Sequence, residues 1–448
     1  MLLKEQYETL VSLVRKRDDD GLGALLSTLH PSDIADFIET LDEEDKMYVF
    51  MLLDARVASD VIAELNTKAK EEILDGIESN RLAAIVDEMD SDDAADIFDD
   101  LTPAQREAVL EGIDEEDREE VEQLLKYGDE TAGGLMSLEL VYVYEFQTIR
   151  EVINNLRVRK DQLGDIHYIY VVDRKFHLKG MIRLTELILA NPTQRVSDIM
   201  EPVPAVITPD LDQEEVAKIF KKYDTPSLPV VDEEGRLLGR ITFDDVMDVV
   251  DEEATEDFMR LANVDVGERV FVDPITSAKS RLPWLIINLA TAILASWVVG
   301  LFEDTIGQFA FLAVFMPIVA GMGGNAGTQT LTIVVRGIAL GDLDYGGAKK
   351  VLIKEILVGV ITGLVNGVLM GIVAYLWKGL PVVGVAIFLA MVINLFVAAF
   401  FGTLVPLVLR ALKVDPALAS GVIVTTATDC LGFLSFLGIS KFLLERMI

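Results

Sequence analysis

Five long apolar runs, broken by a single charge, fill the C-terminal part of the chain at 282–302, 309–335, 356–377, 380–409 and 417–440. The hydrocarbon core of a bilayer is about 30 Å thick and takes roughly 20 helical residues to cross, so the pattern predicts five transmembrane helices. Upstream the period changes. An apolar residue followed by a polar or turn residue recurs every 12 positions, at Leu29-His30, Leu41-Asp42, Leu53-Asp54, Leu65-Asn66, Ile77-Glu78, Met89-Asp90, Leu101-Thr102, Ile113-Asp114 and Leu125-Lys126. One short helix and one turn per unit would stack into a superhelical array with an acidic outer surface, each unit burying its face on the next.

A second repeat follows. IYVVDRKFHLKGMIRLTEL (169–187) aligns with LPVVDEEGRLLGRITFDDV (228–246) at a constant offset of 59, and each reads as strand, turn, strand and start of a helix. The segments ahead of them also match, with Met136 opposite Met200. Asp232-Glu233-Glu234-Gly235 lacks the spacing of a calcium loop and reads as a hairpin turn. The stretch 242–274 then leads to the first span. Its first part reads as a helix with a thin apolar stripe, Val246, Val249, Val250 and Phe258, and with its acids crowded against the single Arg260.

Charge separates the two halves. Residues 1–280 carry 66 acidic and 29 basic side chains, and from Arg281 onward there are 8 acidic and 10 basic. A surface this negative repels nucleic acid and gathers divalent counter-cations, so a nucleic-acid partner is excluded. The only cysteine is Cys430, and His30, His167 and His177 are scattered, which excludes a disulfide framework and a zinc cage. The opening MLLKEQYETL has no apolar stretch of the kind a signal peptide needs, so the acidic half is expected in the cytosol. Lys279 and Arg281 before span one, Arg336, Lys349, Lys350 and Lys354 between spans two and three, and Arg410 and Lys413 between four and five mark cytosolic ends. The opposite loops hold Glu303, Asp304 and Lys378, which puts the C-terminus outside, although Lys441 and Arg446 weaken the asymmetry.

Asp429, in TTATDCLG (425–432), is the one ionisable residue inside the runs. An unpaired charge at mid-membrane costs roughly 3 kcal/mol even on insertion scales. A cation pathway offsets that cost; a hydrogen bond to a neighbouring helix and a proton relay are the alternatives. In MPIVAGMGGNAGTQTLT (316–332), Pro317 and the glycines at 321, 323, 324 and 327 weaken the helix, as is tolerated where backbone lines a wet cavity. Asn325, Thr328, Gln329 and Thr332 form one polar stripe there, and small-residue helix packing is the competing reading. Candidate ion-binding residues are therefore Asp429, Asn325, Gln329, Gly321 and Thr425. Asn366 and Asn394 read as interhelical glue. GMGGNAGT lacks the P-loop lysine and no nucleophile and base pair is visible, so no enzyme is expected.

The 59-residue repeat resembles a tandem pair of cystathionine-β-synthase (CBS) modules. With the array, the acidic helix and the five spans, the whole chain resembles the MgtE family of bacterial magnesium channels and transporters, most specifically at GGNAGTQ, TTATD, DQEEVAKI and LPVVDEEGRLLG. The expected fold is multidomain: an all-α superhelix at 1–130, an α/β CBS pair at 131–250 (131–193 and 194–250), an acidic connecting helix and linker at 242–274, and an all-α five-helix transmembrane domain at 275–448. The resemblance implies a plasma-membrane homodimer with a Mg²⁺ pore on its two-fold axis, where Asp429 falls on the pore aspartate. It also implies feedback, with cytosolic Mg²⁺ bridging acidic faces and closing the pore. The matching positions are Asp60 and Asp92 in the array, Asp212, Glu214 and Asp224 in the second module, and Asp244, Asp245, Asp248, Glu252, Glu253, Glu256 and Asp257 around the connecting helix. Some members bind ATP between the CBS modules; Thr185-Glu186 and Thr225 alter the usual contacts, and ATP is left open. The alternative function is a proton-coupled carrier of Mg²⁺, Mn²⁺ or Co²⁺ with Asp429 as the proton carrier.

Overall fold

The computed structural model describes residues 4–160, 166–268, 272–341, 343 and 346–446. Residues 269–271 of the linker lie outside them, as do the first three of the N-terminal segment. The chain divides into two compact units, Met1–Val250 and Asp251–Ile448.

The N-terminal unit begins with short helices: α1 (Lys4–Lys16), α2 (Asp19–Leu26), α3 (Pro31–Glu39), α4 (Glu43–Met51), α5 (Ala55–Glu64), α6 (Thr67–Gly76), α7 (Ser79–Val86), α8 (Ser91–Asp100), α9 (Pro103–Leu110) and α10 (Glu115–Leu124). The polar residue of each repeat pair from His30 to Asp114 is the N-cap of the next helix. Asp42, Asp54 and Asn66 each accept from the backbone N–H three residues on, at 2.9–3.0 Å, and such caps are worth about 1 kcal/mol. The apolar partner of the period is internal: Phe37, Val49, Val61, Ile73, Ile85, Ile97, Val109 and Val121, twelve residues apart, are all buried. Helices pack with the next but one, α3 on α5 on α7 on α9, and α4 on α6. Two columns of short helices result: the repeat's one helix per unit is met, but each unit packs chiefly on the next but one rather than on the next.

Two small sheets follow. β1 (Tyr142–Tyr144) runs parallel to β2 (Tyr168–Val172), which pairs antiparallel with β3 (Leu178–Arg183), while α11 (Ile149–Val158) and α12 (Leu184–Leu189) flank them. In the second module α13 (Gln213–Tyr223) precedes β4 (Ser227–Val231) and β5 (Leu237–Thr242), an antiparallel pair. Its turn closes at Gly235, at φ +81°, and Asp232 accepts from the Arg236 N–H, so the segment is the expected hairpin. The modules exchange their leading segments. Ser137 of the first bridges Arg240 on β5, and Glu201 of the second bridges Met181 on β3.

α14 (Phe243–Leu261) is the expected acidic helix. Its apolar stripe is buried only in part: Val246 and Val249 are enclosed, whereas Val250 is 45 % and Phe258 71 % exposed. The second unit holds the five long apolar helices. They are α15 (Pro274–Gly300), then, after the short α16 (Glu303–Gln308) and a tight turn at Ala310–Val314, α17 (Met316–Ala339), α18 (Ala348–Lys378), α19 (Pro381–Ala411) and α20 (Ser420–Leu444). α19 is the most enclosed, packing against α17, α18 and α20, whereas α15 lies largely exposed along α20.

Two expectations about these helices change. α17 runs unbroken through its glycines, and Pro317 sits in its first turn, where a missing N–H costs nothing. The weak point instead precedes it, at the 310–314 turn. The long seam of small residues lies on α18, where Gly359, Gly363, Gly367 and Gly371 bring its backbone against α19; a Cβ on Gly359 would stand 2.7 Å from the Leu395 carbonyl oxygen and one on Gly367 2.9 Å from that of Phe388. This is small-xxx-small packing, and it adds to that of α17, where Gly323 and Gly327 are buried against α19 and α20 as the packing reading of that helix expects.

Candidate ion pathway and acidic cleft

α17 has two unlike faces. Val319, Gly323, Gly327, Thr330, Leu331 and Val334 are buried against the neighbouring helices. Gly321, Asn325, Thr328, Gln329 and Thr332 lie exposed on the opposite side. Thr328 and Thr332 return their hydroxyls to carbonyls one turn back, at 3.0 and 2.9 Å, as isolated hydroxyls in apolar helices do. Asn325 and Gln329 make no hydrogen bond among the described residues. A Cβ on Gly321 or Gly324 would meet nothing within 4 Å, so no packing within the chain accounts for glycine there.

α20 supplies the charge. Asp429 is half-buried, and no described residue hydrogen-bonds or ion-pairs with its carboxylate. Among the described residues no helix-to-helix hydrogen bond from Asp429 supports the competing reading. One turn earlier, Thr425 donates to the Gly421 carbonyl at 2.9 Å. The close approach of α20 to α17 is at Gly327, where a Cβ would stand 2.6 Å from Val424 Cγ1. No hydrogen bond joins Asp429 to Asn325 or Gln329 within the described chain. Of the two single amides, Asn394 bonds across to α17, whereas Asn366 bonds back to Thr362 of its own helix.

A second carboxylate is more deeply enclosed. Glu355 on α18 is 2 % exposed, with Lys354 Nζ at 2.6 Å and Thr330 Oγ1 of α17 at 3.4 Å. Glu355 lies one residue ahead of the uncharged run that begins at Ile356, within α18.

At the end of α14, Arg260 ion-pairs with Glu256 of its own helix and with Asp415 of the α19–α20 connection. Leu261 packs against Leu331, Val335 and Ala417. Asp415 also accepts from the Ala417 N–H at 2.8 Å. Further on, Ser277, Ser280 and Arg281 of α15 hold the Glu268 carboxyl down at about 2.

In the N-terminal unit, the array and the CBS pair face each other across a cleft of about 970 Å³. Its acidic lining is Asp87, Asp90, Asp92 and Asp93 from around α8, Glu116, Asp117 and Glu120 from α10, Glu139, and Asp244 with Asp245 at the start of α14. Burial, then Asp245, Asp93 and Glu139, lifts the Asp92 carboxyl well above the ordinary range. Burial and Asp245 raise Asp93 to about 7, and burial with Glu139 and Asp117 raises Glu120 to about 7. Glu139 fastens the two sides by accepting from the Ser91 N–H and hydroxyl, both at 3.0 Å.

The cleft thus collects Asp92, Asp244 and Asp245 of the expected regulatory acids and adds others the sequence did not single out. Asp60 is exposed on α5, its carboxyl raised by partial burial. Asp212 caps α13 through the Glu214 N–H, Glu214 pairs with Lys218, and Asp224 ends that helix in a left-handed conformation at φ 49°. Asp248, Glu252, Glu253 and Asp257 lie along α14 with Glu256. Among the described residues no three acids, histidines or cysteines converge at metal-ligand spacing. The acidic donors are carboxylate oxygens, the hard set that suits Mg²⁺ or Ca²⁺, and their mutual repulsion together with burial raises the carboxyls named above.

Comparison with known proteins decides the class. Residues 316–439 match the MgtE divalent cation transporter family, residues 29–130 the MgtE intracellular N domain, and residues 132–192 and 196–252 two CBS domains. The magnesium transporter MgtE of Thermus thermophilus is 37 % identical over 98 % of both chains. This chain belongs to the MgtE family of divalent cation transporters. The Enterococcus faecalis magnesium transporter MgtE is 36 % identical over 100 % of this chain and 99 % of its own. Among solved structures, the cytosolic domain of the Mg²⁺ channel MgtE in complex with ATP superposes with a TM-score of 0.52 at 39 % identity, covering 54 % of this chain and 99 % of that one. The soluble part of a magnesium transporter gives 0.53 at 30 %, over 56 % and 99 %. As an MgtE protein with five apolar helices, the chain is a membrane protein.

Proposed function

We propose that this MgtE protein is a Mg²⁺ channel of the plasma membrane, working as a homodimer with its N-terminal domains in the cytosol and its C-terminus outside. The observation that carries the reading is the unpartnered Asp429 carboxylate inside a membrane helix. A polar face on α17 and a lone carboxylate on α20 are costly against lipid; a water-filled path shared by two copies removes the cost. Mg²⁺ gives up its waters reluctantly, so two carboxylates with Asn325, Gln329, Thr425 and the open backbone face at Gly321 suffice around a hydrated ion.

The same ion, bound on the cytosolic side, neutralises acidic faces. The regulatory set is Asp60, Asp92, Asp212, Glu214, Asp224, Asp244, Asp245, Asp248, Glu252, Glu253, Glu256 and Asp257, extended by the cleft acids Asp90, Asp93 and Glu120. Without it their repulsion favours separation. An ion at ten times its dissociation constant favours the closed form by about 1.4 kcal/mol per site, so a few weak sites suffice to switch the population. The connecting helix transmits the change through its end at Arg260 and Leu261. ATP is not part of this proposal, since Thr225 is buried with its hydroxyl committed to the Ser227 carbonyl at 3.1 Å.

The test is Mg²⁺ uptake into liposomes holding the purified chain, wild type against Asp429→Ala, with Mg²⁺ varied on the cytosolic side. Uptake is expected to vanish in the variant and, in wild type, to fall at millimolar cytosolic Mg²⁺. Uptake indifferent to both removes the reading. The rival, a proton-coupled carrier, draws on the same carboxylate and requires that uptake collapse when the proton gradient is dissipated.

A further inference from the structure

Asn394, near the middle of α19, has no accessible surface. Its Nδ2 donates to the Val319 carbonyl of α17 at 2.7 Å. Its Oδ1 is buried and accepts no hydrogen bond among the described residues. Glycine meets the amide on both sides. A Cβ on Gly432 of α20 would stand 2.9 Å from Asn394 Cγ, Nδ2 and Oδ1, and one on Gly323 of α17 would stand 2.9 Å from Cγ and Oδ1. Three helices therefore close on one planar group, and neither glycine tolerates a side chain while the amide is there.

A leucine of similar volume would leave no acceptor unpaired, and a buried unpaired acceptor is a real loss. What the amide supplies instead is geometry: a flat group that fits between two glycine backbones, and a directed hydrogen bond that sets the height of α17 against α19. Gly432 lies three residues beyond Asp429, about 4.5 Å along the helix axis. Gly323 lies midway between Gly321 and Asn325. The contacts to Asn394 are thus placed on the two helices that carry the proposed ion residues, within one turn of Asp429, Gly321 and Asn325.

We propose that Asn394 is a positioning residue of the ion pathway, fixing the height and rotation of α17 and α20 so that Asp429 and the polar residues of α17 are held at one relative height and spacing. This rests on the pore reading above. Asn394 touches no ion itself; it acts through the two glycine contacts and the Val319 carbonyl.

Removing the amide makes room for a methyl at position 432, which separates space-filling from positioning. Full-length Asn394→Ala, Asn394→Ser, Gly432→Ala and the double variant Asn394→Ala/Gly432→Ala are put into liposomes, and maximal uptake, half-saturating Mg²⁺ and the Mg²⁺ to Ca²⁺ uptake ratio are measured. Gly432→Ala alone is expected to be poorly folded, and the double variant to recover a monodisperse protein. In the double and in Asn394→Ala, half-saturation is expected to rise and the ion ratio to fall by about tenfold, less than the cost of a full-ångström displacement at a reacting centre, with maximal uptake little changed; Asn394→Ser falls between. Half-saturation and ion ratio both within about twofold of wild type, the scatter expected of independent sites, would show that Asn394 only fills space and would overturn the proposal. Failure of every Asn394 variant to fold overturns it as well, since the residue then serves assembly. Asp429→Ala runs alongside: uptake that survives there refutes the pore itself, whereas its loss there with unaltered Asn394 variants refutes this inference alone.

Discussion

In the membrane unit the carboxylate of Asp429 stands within a span with no partner among the described residues, whereas in the N-terminal unit ten carboxylates line one cleft. Both arrangements are unfavourable without a cation, for different reasons. The lone group suffers from lost solvent and, in the proposed channel, would be relieved by an ion that passes; the crowded groups suffer from one another and, on the same proposal, would be relieved by ions that stay. A carboxylate meant for transit gains from having no fixed competitor, since a salt bridge would have to break at each passage. Carboxylates meant for sensing gain from shared repulsion, because each ion bound relieves several neighbours at once.

The comparison breaks most sharply at Asp429. Asp429→Asn keeps the shape and removes the charge, and uptake is expected to fall by about a hundredfold or more, the scale on which an intramembrane charge matters. Near-normal uptake by Asp429→Asn would mean the site works by hydrogen bonding. Next, Asp92→Asn with Asp245→Asn removes charge from the crowd. Uptake at low cytosolic Mg²⁺ is expected to stay as in wild type, while the Mg²⁺ needed for half-inhibition rises about tenfold, or about 1.4 kcal/mol. Equal loss in both measurements would place the cleft in conduction.

Releasing the end of the connecting helix has a smaller effect. The Arg260–Asp415 pair is partly exposed, so Arg260→Ala is expected to increase uptake at inhibiting Mg²⁺ by only about fivefold, the size of a pair worth roughly 1 kcal/mol. The swap Arg260→Asp/Asp415→Arg should restore inhibition if the pair itself matters. The smallest effect is on pH. Asp93 and Glu120 have carboxyls raised to about 7 in the folded chain, against about 4 when unfolded. A raised carboxyl adds stability below the unfolded value, and that stability is lost as pH climbs to about 7. Melting in EDTA is therefore expected to come lower at pH 8 than at pH 5, and Mg²⁺ should close the gap at pH 8. An unchanged melting point would mean the acids are not crowded in solution.

Much of this architecture was legible because its signals are local. Run length alone suffices for five spans, and the 12-residue period works because its polar member caps a helix whose apolar residue seven positions on is buried. What escaped was long-range or sat on a boundary. Glu355 was lost because a charge was used to mark where span three begins, although burial continues past it. Arg260 and Asp415 are 155 positions apart, and nothing in either neighbourhood points to the other. The acids of α10 joined the cleft only because the CBS pair packs against that face, which no period along the chain reveals. The glycines of 321–327 look like helix breakers along the chain, yet the Asn394 amide occupies the space beside Gly323 and the Val424 side chain the space beside Gly327.

The exchange of leading segments between the CBS modules, Ser137 onto β5 and Glu201 onto β3, carries an evolutionary consequence. Once each copy of a duplicated unit completes its sibling's sheet, the duplication can no longer be undone by losing one half. The pair is inherited, truncated or lost only as a whole.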